Sequence, residues 1–223
     1  MIAPSSHDSA VHRQAVRQEL QQHYAALLHS LGWQSNGTNP CPRLIGITSC
    51  RRGEGVSTVA AHLATTAATL GKEPVLLLDA NLSRPAVPRV FRVQGRPGWI
   101  EVLQSGQPWR EVLQPSVVPR LALLVAGRLA DQSPSSVYAD RSLPLLLEEL
   151  SSHFSLTFVD LPAVERSSDT LRLSAMCEGL LLVVEVQRGI PAELAKRVTR
   201  LLHQTGATPC GVVLNKYSGQ SAS

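Results

Sequence analysis

Residues 43–70 of the 223-residue chain read RLIGITSCRRGEGVSTVAAHLATTAATL, and they give the strongest indication of its fold. Its first part, Leu44 to Thr48, is a short apolar, β-branched run that is typical of a buried parallel strand. Its last part, Ser57 to Leu70, carries apolar residues at helical spacing. The stretch therefore predicts a strand, a loop and a helix in direct succession.

The loop between this strand and helix has the residues of a phosphate-binding loop. Gly53 and Gly55 stand directly before the start of the helix, where Ser57 and Thr58 supply two hydroxyl groups. Glycines allow backbone N–H groups to turn toward an anion, and a helix N-terminus adds partial positive charge. We therefore expect the loop to bind the phosphates of a nucleotide.

One position departs from the usual pattern of such a loop. The common order is glycine, lysine and a hydroxyl residue, with the lysine on the β and γ phosphates and the hydroxyl on magnesium. Here the order is Gly55, Val56, Ser57, so the lysine is missing. A hydrogen bond to a charged group contributes about 1.5–3 kcal/mol, which predicts a loss of roughly tenfold to a hundredfold in nucleotide affinity. We expect phosphoryl transfer to suffer more, because the lysine stabilises charge that develops during the reaction.

Composition limits the class of protein. The length and the 43% hydrophobic content suit one substantial α/β domain. The net charge of +4 comes from 18 arginines and three lysines without a basic run, which disfavours nucleic acid as a partner. The four cysteines show neither paired nor metal-ligand spacing, as expected of a cytoplasmic chain. No segment has the apolar length of a membrane span.

Strands and helices alternate along the chain, which predicts an α/β fold: a doubly wound, mostly parallel sheet with helices on both faces. After the opening strand we predict five more, at 74–79, 121–126, 156–160, 180–185 and 211–215. Helices are predicted at 11–31, 57–70, 99–104, 143–153 and 191–202. Residues 86–118 are otherwise predicted to be irregular.

Two of the predicted strands end on an acid. Asp79 closes the second strand and Asp160 closes the fourth. Doubly wound sheets bind ligands at the carboxyl ends of their strands, so both acids are expected beside the phosphate loop. Two acids and the Ser57 hydroxyl would suit a magnesium nucleotide, because magnesium takes few protein ligands and keeps several waters. The alternative is that these acids only bind neighbouring backbone.

The segments TSCRRGEGVSTVAAHLA, GKEPVLLLDANLSRP, FVDLPAV and GVVLN, in this order, resemble the cytoplasmic bacterial tyrosine kinases, a family within the MinD/ParA-type P-loop ATPases. The resemblance covers about residues 12–217 and implies ATP or ADP with Mg²⁺ as cofactor. By position it implies nucleotide contacts at Gly53, Glu54, Gly55, Val56, Ser57 and Thr58, and a base contact at Asn215. It also implies catalytic roles for Asp79 and Asp160, and metal ligation by Ser57, Asp79 and Asp160.

Departures from the family pattern concentrate at the chemistry. Besides Val56, the second acid of the kinase motif is Asn81, and the tyrosine-rich C-terminal tail is absent. We therefore expect a protein that keeps the fold and has impaired phosphotransfer. An active ATPase or kinase remains open, because Arg51 or Arg52 could replace the lysine. A ParA-like protein that positions itself on DNA or a membrane is the third alternative.

The resemblance also predicts organisation and partners. We expect an N-terminal amphipathic helix and linker at 1–42, the P-loop NTPase-like domain at 43–217 and a short tail at 218–223. Function is expected in capsule or exopolysaccharide biosynthesis and export, as a regulatory partner of an inner-membrane chain-length (copolymerase) protein. The chain would then be peripheral to the inner membrane through that partner, and self-association into a homo-oligomer is open.

Overall fold

The computed structural model describes residues 6–33, 41–166, 168–186, 196, 198, 206 and 208–216. The chain divides into two compact units, Met1–Cys41 and Pro42–Ser223. The first unit contains helix α1 (Ser6–Ser30), which begins five residues before the helix predicted from the sequence. Most of the predicted linker lies outside the described residues. Among the described helices, none combines the length and the apolar character needed to cross a bilayer.

The second unit is built on a seven-stranded sheet whose order is β3-β4-β2-β5-β1-β6-β7. Its strands are β1 (Leu44–Ser49), β2 (Val75–Asp79), β3 (Gln114–Pro115), β4 (Leu121–Leu124), β5 (Leu156–Asp160), β6 (Gly179–Glu185) and β7 (Pro209–Asn215). Every neighbouring pair is parallel except β3 with β4. The six predicted strands are therefore present. The seventh, β3, has only two residues and ends on a proline, so no apolar run announces it.

Seven α-helices follow α1 in the described part of the chain: α2 (Val56–Leu70), α3 (Val87–Phe91), α4 (Trp99–Ser105), α5 (Trp109–Val112), α6 (Pro134–Tyr138), α7 (Leu143–His153) and α8 (Ser168–Ala175). A 3₁₀ turn covers Val164–Arg166. Of the helix predicted at 191–202, the structure describes only residues 196 and 198, and both are helical. The helix predicted at 99–104 is present as α4. The prediction that the rest of 86–118 is irregular is wrong, because it also holds α3, α5 and β3. These three elements have two to five residues, too few to show a periodic pattern.

The direction of the chain along the sheet places helices on both faces. The connection from β1 through α2 to β2 runs toward the β3 edge of the sheet. Two later connections run toward the β7 edge: the chain passes from β4 through α7 to β5, and then from β5 through α8 to β6. Parallel crossovers are right-handed, so opposite directions put α2 on one face and α7 and α8 on the other. The predicted doubly wound fold is confirmed.

The same strand order brings the predicted site residues to one edge. Strand β5 lies between β2 and β1, and every residue of these three strands is buried. In the register of the sheet Asp79 is opposite Asp160, and Ile47, near the end of β1, is also opposite Asp160. The loop after β1 and the two acids therefore meet at neighbouring strand ends.

Candidate nucleotide-binding site

The loop between β1 and α2 has the backbone shape of an anion cradle. Gly53 and Gly55 adopt left-handed conformations, with φ of 87° and 96°. No described residue accepts a hydrogen bond from the N–H groups of Glu54 or Gly55, which lie directly ahead of the first turn of α2. Successive unpaired N–H groups at a helix start are suited to bind phosphate oxygens.

Glu54 holds this loop from within the protein. Its side chain is buried, and its carboxylate accepts hydrogen bonds from the N–H of Arg51 at 2.7 Å and the N–H of Glu185 at 3.3 Å. Glu185 is the last residue of β6, so the carboxylate ties the loop to a neighbouring strand. Glu54, which is predicted to contact the nucleotide, thus stabilises the loop through its side chain. The sequence pattern did not indicate this role.

The first residues of α2 carry the substitution that distinguishes this loop. Val56 opens the helix and is half-buried, Ser57 is also half-buried, and Thr58 is exposed. The valine side chain is aliphatic, so it cannot neutralise phosphate charge from the position of the usual lysine. The Ser57 hydroxyl keeps the position expected of a magnesium ligand.

Asp160 is the most unusual group at this edge. It is fully buried, and neither carboxylate oxygen has a hydrogen-bond partner among the described residues. Burial, reinforced by the charge of Asp79, raises the pKa of Asp160 to about 8. The Ser57 hydroxyl lies close enough to lower this pKa, although it does not reach hydrogen-bond geometry. A buried acid without a partner is expected where a cation or a polar ligand completes the site.

Asp79 faces the same edge but is already engaged. One carboxylate oxygen accepts from the N–H groups of Ala86 at 2.8 Å and Val87 at 2.9 Å, and the other accepts from the N–H of Asn81 at 3.3 Å. Burial raises the pKa of Asp79 to about 6, and these three hydrogen bonds oppose the shift. Asp79 therefore anchors the loop that follows β2, in agreement with the alternative that a strand-end acid binds neighbouring backbone.

The described residues fit a magnesium nucleotide unequally. No group of three or more His, Cys, Asp or Glu side chains is placed to hold a metal within the described ranges. A cation would therefore depend on the pair of acids and on Ser57. The unpartnered oxygens of Asp160 fit that role directly, whereas those of Asp79 already serve the backbone.

Two aromatic residues that the sequence analysis missed complete the loop after β2. The Tyr138 hydroxyl donates to the carbonyl of Ala80 at 2.7 Å and accepts from the N–H of Leu82 at 3.1 Å, and burial raises its pKa. The Trp99 indole N–H donates to the carbonyl of Asp79 at 2.8 Å. Tyr138 is thus a structural group inside the protein. Each aromatic residue lies in a different short helix, and no local pattern singles out either of them.

The end of β7 contacts the phosphate loop directly. The side-chain amide of Asn215, predicted to contact the base, donates to the carbonyl of Glu54 at 2.8 Å. The next residue, Lys216, donates to the carbonyl of Gly53 at 2.8 Å and lies 3.3 Å from the Glu185 carboxylate. No pattern in the sequence indicates a role for Lys216. The backbone N–H of Arg51 is bonded within the loop, and Arg52 has an exposed side chain.

Comparison with known proteins shows the family to which the chain belongs. The family model described as cellulose biosynthesis protein BcsQ matches residues 43–219. EpsB of Ralstonia solanacearum is 31% identical over 172 residues, which is 77% of this chain and 22% of EpsB. The tyrosine-protein kinase CpsD of Streptococcus agalactiae is 25% identical over 177 residues, covering 79% of this chain and 75% of CpsD. The chain thus spans less than a quarter of the length of EpsB.

Solved structures share the fold. The kinase domain of the Escherichia coli tyrosine kinase ETK superposes with a TM-score of 0.80 and 24% identity, over 91% of this chain and 79% of that domain. The septum site-determining protein MinD from Pyrococcus horikoshii, complexed with Mg-ADP, gives a TM-score of 0.65 and 21% identity, over 79% of this chain and 71% of MinD. The chain therefore shares the fold of MinD, is similar in sequence to bacterial tyrosine kinases, and belongs to the family of the cellulose biosynthesis protein BcsQ.

Proposed function

We propose that this chain is a nucleotide-binding protein of exopolysaccharide biosynthesis whose phosphotransfer is impaired, and that it regulates a membrane-bound partner. The observation that carries the proposal is Val56 at the start of α2, in a loop that otherwise keeps its glycine conformations and unpaired N–H groups. The backbone cradle can bind an anion, while the charge that would stabilise phosphoryl transfer is missing from its usual position.

The ligand that fits this site is ADP or ATP with Mg²⁺. The N–H groups of Glu54 and Gly55 would bind phosphate oxygens, and Ser57 with Asp160 would hold the metal, which supplies positive charge to the phosphates when bound. The unpartnered oxygens of Asp160 support this assignment. We assign Asp79 to holding the loop after β2, because three backbone N–H groups already bind its carboxylate.

The partner is proposed from the relatives. Besides the kinase CpsD, they include the succinoglycan biosynthesis transport protein ExoP of Rhizobium meliloti, of which the matching segment is 22%. In ExoP the matching segment is part of a much longer protein. We infer that this chain acts with an inner-membrane chain-length (copolymerase) protein, which would bring it to the membrane.

Nucleotide titration of the purified protein tests the proposal. We expect weak Mg²⁺-dependent binding of a fluorescent ADP analogue to the wild type and ATP hydrolysis near background. Val56→Lys should bind roughly tenfold to a hundredfold more tightly, because it restores a charged hydrogen bond. Val117→Lys is the matched control, because Val117 is 93% exposed. It follows β3 at the edge of the sheet, so the variant adds the same charge away from the start of α2.

Two results would contradict the proposal. If the wild type binds and hydrolyses ATP as well as Val56→Lys, the chain is an active ATPase. Loss of that activity in Arg51→Ala or Arg52→Ala would then show that an arginine replaces the lysine. If neither the wild type nor Val56→Lys binds the analogue, the loop is not a nucleotide site.

A further inference from the structure

The end of β7 holds two consecutive carbonyl groups of the phosphate loop. Lys216 donates through its ammonium group to the carbonyl of Gly53, and Asn215 donates through its amide to the carbonyl of Glu54, both at 2.8 Å. We call Asn215 and Lys216 the β7 clamp. A Cβ atom added to Gly55 would lie 2.2 Å from the Asn215 amide nitrogen, so the clamp is packed closely against the loop.

These two contacts decide which way the loop's N–H groups point. Both peptide bonds are trans, so the N–H of each peptide unit points away from its own carbonyl. Because the carbonyls of Gly53 and Glu54 face the β7 clamp, the N–H groups of Glu54 and Gly55 face the opposite side of the loop. These are the N–H groups without an acceptor among the described residues.

The lysine also brings charge to the loop. An ammonium group bonded to a carbonyl polarises the peptide unit, which makes the N–H at its other end a stronger donor. The ammonium is held by the Glu185 carboxylate at 3.3 Å, and the backbone N–H of Glu185 binds the Glu54 carboxylate. Lys216, Glu185 and Glu54 thus connect the ends of β6 and β7 to the phosphate loop.

The backbone at Lys216 supports a specific role for this residue. Its φ is 55°, in the left-handed region that costs a non-glycine residue roughly 1–2 kcal/mol. Such a conformation persists where surrounding contacts determine it, and these positions concentrate at functional sites. Among the described residues, two contacts bind the Lys216 ammonium group, one to the loop and one to β6.

We propose that Lys216 is a positioning residue for anion binding: from the outer side of the loop, its charge orients and polarises the backbone that faces the phosphates. This rests on the proposed nucleotide-binding function for the identity of the anion. Lys216 does not replace the missing lysine in contact with phosphate. It strengthens the backbone donors on which a loop with Val56 must depend.

The test compares Lys216→Met, which keeps a long unbranched side chain without charge, with Lys216→Arg, which keeps the charge. Lys72→Met is the matched control, because Lys72 is exposed and lies beyond the opposite end of α2. The first measurement is amide hydrogen exchange at Arg51 and Glu185 in the nucleotide-free protein, since both N–H groups bind Glu54 and report loop opening. The second is the affinity for Mg-ADP.

We expect Lys216→Met to accelerate exchange at both amides by roughly fivefold and to weaken Mg-ADP binding by roughly tenfold. Lys216→Arg should have exchange rates and an Mg-ADP affinity close to those of the wild type. Lys72→Met should change neither quantity. Unchanged exchange rates in Lys216→Met would overturn the proposal. A loss of affinity that is as large in Lys216→Arg as in Lys216→Met would also overturn it. If the wild type does not bind Mg-ADP, the proposed function fails, and the exchange measurement still decides whether Lys216 positions the loop.

Discussion

Replacing Asp160 with asparagine should change how the stability of the nucleotide-free protein depends on pH. Asp160 is fully buried and its carboxylate has no hydrogen-bond partner among the described residues. A charge in this position is costly, because burial removes water and nothing replaces it. Asparagine has nearly the same shape and carries no charge, so the variant removes the titration and leaves the packing in place.

The sign and size of the effect follow from the pKa of Asp160, which burial raises to about 8 from a usual value near 4. Below about pH 4 the carboxyl is protonated in both the folded and unfolded states. Between about pH 4 and 8 the folded state keeps a proton that the unfolded state has released, so stability falls as the pH rises. The full slope for one group is about 1.4 kcal/mol per pH unit.

We therefore expect the Asp160→Asn variant to gain stability relative to the wild type as the pH rises from 5 to 8. The full slope over these three pH units would give about 4 kcal/mol. We expect a gain of about 2–4 kcal/mol, because local relaxation reduces the penalty of the buried charge. For a chain of this length that corresponds to a relative increase in melting temperature of roughly 5–10 °C. The test is how the stability difference between the two proteins changes with pH. Its size at any one pH also contains the cost of burying the asparagine amide, which is the same at every pH.

Thermal unfolding at pH 5, 6, 7 and 8, without nucleotide or magnesium, measures this difference. Asp131→Asn is the control, because Asp131 is exposed and its loss should leave the slope of the wild type unchanged. Parallel stability curves for the wild type and Asp160→Asn would contradict a raised pKa at Asp160. They would mean that the carboxyl has a partner or reaches water, and its assignment as a metal ligand would lose its support.

Two further substitutions test the contacts that shape the site. Tyr138→Phe should lower the free energy of unfolding by about 1–3 kcal/mol, because the carbonyl of Ala80 and the N–H of Leu82 lose a buried partner. An unchanged midpoint of urea unfolding would mean that these two hydrogen bonds do not stabilise the protein. Gly55→Ala should destabilise more than Gly106→Ala in the same assay. Both glycines have positive φ, at 96° and 69°, but only Gly55 would place a Cβ against another residue within 4 Å. Equal losses in the two variants would argue against the close packing of the loop on β7.

Local sequence patterns determined the frame of this protein. Helix α7 (Leu143–His153) and strand β5 (Leu156–Asp160) have the bounds predicted from apolar spacing alone. The loop between β1 and α2 and the two strand-end acids also lie at the edge of the sheet where the pattern places them. These features depend on residues that are close in the chain, so apolar periodicity, glycine positions and strand ends are readable without knowledge of the fold.

The role of each site residue depends on contacts that form only in the folded chain. Nothing near Asp160 in the sequence shows that it lacks a partner or that Asp79 is bound by backbone, because both facts depend on how loops fold over the sheet. Lys216 and Gly53 are separated by 163 residues, and they meet only because the sheet places β7 beside β6 and β6 beside β1. Hydrogen bonds between such distant residues leave no periodic trace in the chain, so their partners become known only when the strands are assembled.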